Sequence, residues 1–466
     1  MVGSVEFVKA LRRLWRHQLF RRLVAVRIAV QATDGMVQVG MAAYLLLDPR
    51  FQTTGADIVA VMAIMFLPFS VVGPFVSGVL DRWNRRQAVI VTDVIRIGLS
   101  LGMAALVVVG TGTALTLGLF YLAALLTMSL NRFALAGMSA ALAHTVDEDE
   151  YLLASSVMPT VGPAGVVIGG GAAFAIRTLV GPWQGTQAAD ALIFVVCAAG
   201  FALTVVLALR IPRGALGPDA ARQLAARRTS VRAEVVGVVT GLADAVRHTV
   251  HRRPAALGLL TIALQRIGYG MVMVAAILVY RNTFYDVADV DAATAAFGLW
   301  AGATAVGFVL SGAVTPFFVA RIGLRRWIVT VLVAAGVLQV VPGSIITQPT
   351  LVVAGFLLGV AAQSLKIGVD TLVQAHVDEA YKGRVFVVYD MIFNTTQVGA
   401  AVLAAALLPA SGVSVPVYVG IGVWILAVAV LFARSSARIG PALFEKGTED
   451  LLGTPATDPA PDVARR

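Results

Sequence analysis

The sequence predicts an all-α membrane protein: twelve transmembrane helices in two six-helix bundles related by a pseudo-twofold axis. Three observations predict it: a composition too apolar for a water-soluble globule, twelve apolar runs long enough to cross a bilayer, and loop sequences that recur about half a chain apart. Of 466 residues, 58% are hydrophobic and 13% charged, against about 45–50% and about a quarter in ordinary soluble domains. A globule covers its core with ionised side chains, and 13% is too few for a chain of this length. Soluble enzymes, secreted scaffolds and disordered proteins are thereby excluded. The net charge of +10 suggests nucleic acid, but the cations lie in loops between apolar runs, where membrane topology places them. No nucleic-acid partner is expected. The single cysteine, Cys197, sits in an apolar run and reads as a small hydrophobe.

A spanning helix needs about 20 mostly apolar residues. Such runs fall at residues 20–47, 57–80, 88–110, 114–143, 153–176, 191–211, 255–280, 296–320, 327–341, 351–373, 385–408 and 417–432. The first run is too long for the core of a cleavable signal. The segment before it, 1–19, is basic and cytoplasmic in this reading. Twenty-eight of the 36 Lys and Arg lie on that same side, Arg21, Arg22 and Arg210 at span ends included, three (Arg50, Arg177, Arg281) on the other, and five deeper within spans. Both termini are therefore placed in the cytoplasm of a bacterium, the chain being multi-pass in its plasma membrane. Six spans form an N-terminal bundle, 20–211, and six a C-terminal bundle, 255–434. Between them, 212–254 is a cytoplasmic linker in which Val231, Val235, Val238, Leu242 and Val246 recur at helical spacing, predicting an amphipathic helix on the membrane face. His248 and His251 beside it read as a solvated pair. The tail 435–466 ends in a Pro- and Asp-containing stretch and is expected to be disordered.

The halves repeat. Asp81-Arg82-Trp83-Asn84-Arg85-Arg86 follows the second span, and Arg321-Ile322-Gly323-Leu324-Arg325-Arg326 follows the eighth. Ala143-His144-Thr145-Val146-Asp147-Glu148 follows the fourth, and Ala375-His376-Val377-Asp378-Glu379 the tenth. Each pair occupies the same loop of its half, predicting parallel repeats with a central site between them.

At these residues the chain resembles the major facilitator superfamily, and within it the bacterial enterobactin-exporter-like and drug-exporter-like branch. The resemblance rests on Gly78-Val79-Leu80-Asp81-Arg82-Trp83-Asn84-Arg85-Arg86, on Asp34 in the first span, Asp93 and Arg96 in the third, Arg132 in the fourth, and Gly383-Arg384 before the eleventh. Ser77 stands where the pattern has glycine. The Gly-Pro-x-x-Gly-Gly signature of span five is only approximated by Gly162-Pro163-Ala164-Gly165 and Gly169-Gly170-Gly171. The resemblance implies alternating access, export by antiport, and a role for Arg132 in proton transfer or cavity lining.

Charges in the spans are the functional signal. An Arg, Lys or Asp at a helix centre costs about 2.5–3.5 kcal/mol, while each Leu, Ile, Val or Phe returns only about 0.3–0.6. Arg27, Gln31, Asp34 and Gln38 share one face of span one, with Asp34 near the bilayer middle. A midplane carboxylate facing a cavity can exchange a proton against substrate; an Arg27–Asp34 pair that fixes helix contacts is the other reading. Asn131 and Arg132 in span four, Gln265 and Arg266 in span seven, and Asn394 and Gln397 in span eleven are further cavity-lining candidates. Asp93 and Arg96 are expected to pair as part of a cytoplasmic gate. So are Asp81, Arg82, Arg85 and Arg86, the carboxylate capping a helix of the opposite half and the guanidinium groups meeting acids. Lys366 and Asp370, four apart in span ten, are expected to neutralise each other.

None of the four lysines follows a glycine, so no phosphate-binding GxxxxGK[ST] loop exists. No HExxH or His/Cys cluster suggests a metal. The sequence thus predicts a monomeric secondary transporter without cofactor or nucleotide, whose partners are the bilayer, protons and an exported apolar or amphipathic small molecule such as a drug, siderophore or lipid-like metabolite. An importer or facilitator of the same fold, or a lipid-handling or regulatory protein without ion coupling, are the alternatives.

Overall fold

Oil offers the backbone no hydrogen-bond partners, so a chain this apolar is driven to satisfy its amides within helices. The computed structural model describes residues 13–46, 55–75, 83–110, 112–147, 150–217, 231–285, 290–448 and 451, and among them thirteen α-helices run with no strand. Six precede the linker: α1 (Gln18–Leu46), α2 (Gly55–Val71), α3 (Arg85–Val109), α4 (Ala114–Ala141), α5 (Tyr151–Gln184) and α6 (Thr186–Leu209). The linker helix is α7 (Val231–His251). Six follow: α8 (Arg253–Asn282), α9 (Val290–Ile322), α10 (Leu324–Ser344), α11 (Gln348–His376), α12 (Glu379–Leu407) and α13 (Val415–Ile439).

Apart from α7, these stand at the twelve apolar runs. Among the described residues ten segments are long and apolar enough to cross a membrane; α1 carries Arg21, Arg22, Arg27 and Asp34 within its length. The ninth and twelfth runs, 15 and 16 residues in the sequence reading, become helices of 21 and 25 residues. Polar first and last turns keep their backbone hydrogen bonds, so the helices run past the apolar runs. Exposed large side chains such as Val109, Leu115, Leu179 and Val309 give the helices an apolar exterior suited to lipid.

The chain forms two compact units, residues 1–240 with 277–298 and residues 241–276 with 299–466. The chain passes from the first unit to the second at 240/241, within the expected linker 212–254, and the end of α8 and the start of α9 join the first unit. Contacts within that unit explain it: a Cβ on Gly298 would lie 2.4 Å from Phe174 of α5, and Tyr280 meets Phe284 and Phe297 edge to face. Within the first unit α1 runs along α5, and α3 packs against α4 and α6. In the second, α10 packs against α11 and α13, repeating the arrangement of the third, fourth and sixth helices.

The α1–α5 seam is set by glycine. A Cβ on Gly169 would fall 1.6 Å from the Ala32 carbonyl oxygen, and one on Gly35 2.2 Å from that of Val166. Small residues let membrane helices approach backbone to backbone. Gly169→Ala is expected to cost about 3 kcal/mol, the upper end for overpacking, because backbone cannot step aside. Thermal unfolding in detergent micelles reads this as an early melt.

The tail is not disordered as far as it is described. Helix α13 continues to Ile439, a 3₁₀ turn spans Pro441–Glu445, and Phe444 is buried edge to face on Phe432. Glu445 accepts the backbone N–H groups of Leu324 at 2.7 Å and Arg325 at 3.3 Å. The first repeat caps its equivalent helix with Asn84, whose side chain accepts from Arg86 N–H; Gly323 stands at that place in the second repeat, so a carboxylate from the tail caps instead. Residues 452–466 lie outside the described residues.

Candidate functional site

Three helices of the first unit bring charge together. Asp34 of α1, Asp93 and Arg96 of α3 are all at 0% exposure. Arg96 Nη2 donates to Asp34 Oδ1, and Arg96 Nη1 to Asp93 Oδ1 at 3.2 Å. Thr204 of α6 donates its hydroxyl to Asp93 Oδ2, and the guanidinium lies over the Phe201 ring, 3.9 Å from its centroid. Of the four carboxylate oxygens only Asp34 Oδ2 has no hydrogen-bond donor facing it among the described residues. Two carboxyls on one guanidinium leave a fully buried cluster with one negative charge in excess. A single added proton makes it neutral.

This redraws the expected groups. Asp34 does not pair with Arg27 and does not share an open stripe with it. Arg27 is half-buried and donates from Nη1 to Ser139 Oγ at 3.3 Å, and Gln31 faces α5 at Gly162. Gln38 is half-buried. Asp93 and Arg96 do meet, i to i+3, but as partners of Asp34. Asn131 is buried with its Oδ1 unsatisfied and Arg132 is half-buried beside it.

Asp81 and Arg82 lie outside the described residues. Among the described residues Arg85 and Arg86 meet backbone carbonyls, and Arg85 also the His144 ring. Arg85 donates to the carbonyls of Ala140 and Leu216, and Arg86 to those of Ala208 and Leu209. Unpaired carbonyls at helix C-termini carry partial negative charge, which guanidinium groups satisfy. Arg325, 239 residues after Arg86, does the same in the second unit, reaching Ala433 O and Ser436 Oγ at the end of α13. These arginines tie each bundle to itself.

A second repeated tie involves histidine. His17 Nε2 lies 2.6 Å from Glu150 and 3.9 Å from Asp147. His248, 231 residues later, lies 3.6 Å from Asp378, which is 231 residues after Asp147. It also stacks on Tyr381 at 4.3 Å, while Arg252 donates to both Asp378 oxygens at 2.7 Å. His248 is therefore not a solvated residue. His17, Asp147 and Glu150 bring their ligand atoms within 4.8 Å of one another, a grouping the His17–Glu150 hydrogen bond accounts for; the second repeat has Tyr381 in place of the Glu150 carboxylate.

The hydrogen bond from Arg252, with smaller help from nearby charge, holds the Asp378 carboxyl below its ordinary value. A lowered folded value means the clamp is intact above the unfolded value of about 3.9 and is lost as pH falls through the folded one. Asp378→Asn is expected to release the end of α7 at neutral pH. A spin label on α7 would then show raised mobility at pH 7, a state the unmutated chain reaches only in strong acid.

Repeat symmetry gives the triad its meaning. With the offset of His17/His248, Asp34 corresponds to Gln265; with that of Arg86/Arg325, Asp93 and Arg96 correspond to Leu332 and Ala335. All three counterparts are buried. The same architecture is therefore built in the second unit without charge at these positions.

The second unit carries a different polar group. Lys366 Nζ donates to Asp370 Oδ2 at 2.7 Å, both half-buried. Gln265 is buried, Asn394 donates to the Asp390 carbonyl at 2.7 Å, and Gln397 Nε2 lies 3.7 Å from Met273 Sδ. Arg266 is half-buried between the rings of Phe393 and Tyr269.

The sequence reading did not find Thr204 and Phe201, which look like ordinary span residues. It placed Arg177 in an outer loop and ignored Asp190. In the structure both lie inside helices, on α5 and α6, and form a buried pair at 3.0 Å. Each falls one residue beyond a predicted span, and opposite charges facing across a short turn were the signal available.

The family pattern described as the Major Facilitator Superfamily matches residues 23–316. Uncharacterized MFS-type transporters of Mycobacterium bovis and Mycobacterium tuberculosis are each 33% identical over 404 residues, covering 86% of this chain and 88% of theirs. Among solved structures, the nucleoside transporter NupG matches with a TM-score of 0.63 at 15% identity, covering 90% of this chain and 99% of its own. A D-xylose-proton symporter matches at 0.63 and 12%, covering 93% and 99%. At these identities the likeness is one of fold.

Proposed function

The chain belongs to the major facilitator superfamily, a membrane-spanning transporter rather than an enzyme, and from that premise we propose that it exchanges protons at the Asp34–Arg96–Asp93 triad for outward movement of an apolar or amphipathic small molecule across the bacterial plasma membrane. One observation carries the coupling: two carboxyls share one guanidinium at zero exposure, in a unit whose repeat does without them. The excess proton sits with least cost on Asp34 Oδ2, the oxygen no donor faces. When α1, α3 and α6 part and water enters, the cluster no longer needs that proton and releases it; on reclosing it must take one up. Arg96 and Thr204 hold the carboxyls in place through both states. Both termini are assigned to the cytoplasm on the distribution of Lys and Arg. The outward direction rests on the likeness of Asp34, Asp93, Arg96 and Arg132 to the exporter branch.

Proteoliposomes with a pH-sensitive dye inside test this, with amphipathic anions, cations and neutral compounds added one at a time. A solute that crosses in exchange for protons shifts the internal pH one way, and symport shifts it the other. Solute movement with no pH change contradicts coupling.

A further inference from the structure

We propose that the transported molecule bears an anionic group, and that Arg266 of α8 is the residue that binds it. This deepens the transport reading and rests on it.

Arg266 lies at the middle of a 30-residue spanning helix. Its guanidinium carbon is 3.6 Å from the centroid of the Phe393 ring and 4.9 Å from that of Tyr269, which in turn meets Phe308 edge to face at 6.3 Å. Among the described residues no carboxylate pairs with it, and its buried Nε has no hydrogen-bond partner. Neither described carboxylate within this unit's spans pairs with it. Asp370 is held by Lys366, and Asp390 is exposed. With Lys366 and Asp370 neutralising each other, Arg266 is left with no counter-charge among the described residues.

A cation in the bilayer interior without a counter-ion is expensive, and the rings relieve only part of that cost. Rings on the flanks leave the donor edge of the fork open, and a planar five-donor fork matches carboxylate, sulfonate or phosphate oxygens. Tyr269, Phe308 and Phe393 are each half-buried, so part of their ring surface near the guanidinium stays uncovered. An amphipathic anion satisfies both: its charged head meets Arg266, its body lies on the rings. A lipophilic cation meets only repulsion there.

Equilibrium binding in nanodiscs, with no gradient, reads this separately from coupling. The probes are a pyrenyl alkyl carboxylate and the pyrenyl alkylammonium of equal length, followed by fluorescence anisotropy. The carboxylate is expected to bind at least about tenfold tighter, the scale of one charge-assisted hydrogen bond. Arg266→Gln is expected to remove that preference while leaving the monodisperse protein's melting unchanged, and Arg266→Lys to keep part of it. Should Arg266→Gln misfold, Arg266→Lys and the unmutated protein's own selectivity still decide. Equal binding of the two probes, binding of neither, or an undiminished preference in Arg266→Gln overturns the proposal, whatever happens at Asp34.

Discussion

Asp34→Asn is expected to abolish proton-driven accumulation of solute while leaving passive exchange intact. The amide keeps a hydrogen-bond acceptor for Arg96 and fills the same space, so α1 and α3 stay packed. What it cannot do is gain and lose a proton. With one proton exchanged per solute, a pH difference of one unit sustains about a tenfold concentration ratio. In proteoliposomes holding Asp34→Asn that ratio is expected to fall to one, and counterflow of labelled against unlabelled solute to continue with no pH dependence. Accumulation at the unmutated level would remove Asp34 from the coupling path.

Arg96→Leu is expected to be the most damaging single change to folding. It leaves two carboxyls at zero exposure with no counter-charge, at a cost of about 3–5 kcal/mol, against a total stability of about 5–15 kcal/mol. The second repeat shows what repairs it. There the corresponding buried positions hold Gln265, Leu332 and Ala335. Arg96→Met combined with Asp34→Gln and Asp93→Leu is therefore expected to recover the melting temperature of the unmutated chain and to remain uncoupled. If the triple variant melts as early as Arg96→Leu, the charges are structural and not replaceable, and the coupling reading loses its support.

The twelve helices and the two-repeat pattern were legible because insertion energetics write themselves in composition and period: apolar runs and loop arginines are visible one at a time. The tertiary meeting of Asp34 with Arg96 was not, since they are 62 residues apart and helix periodicity gives a face without naming its neighbour. Arg27 and Asp34 share that face by spacing, yet Arg27 reaches Ser139 and Asp34 reaches Arg96. Lys366 and Asp370 were readable because their partnership is local, within one turn. The carbonyl partners of Arg85 and Arg86 were not readable because backbone carbonyls leave no trace in sequence. The tail misled because one glycine, Gly323, removed a cap that only a distant carboxylate could replace. The repeat held more than its loops: His17 and His248 share the spacing of Asp147 and Asp378, and only the contacts give that coincidence a meaning.

The account stands on a protonated carboxyl inside the first unit. Infrared difference spectroscopy of the reconstituted protein, between acid and alkaline buffer, sees such a group as a carbonyl stretch distinct from ionised carboxylate. One proton's worth of that band, lost in Asp34→Asn and retained in Asp370→Asn, is the predicted result. A band that survives Asp34→Asn undiminished, or no band at any pH at which the protein stays folded, contradicts it.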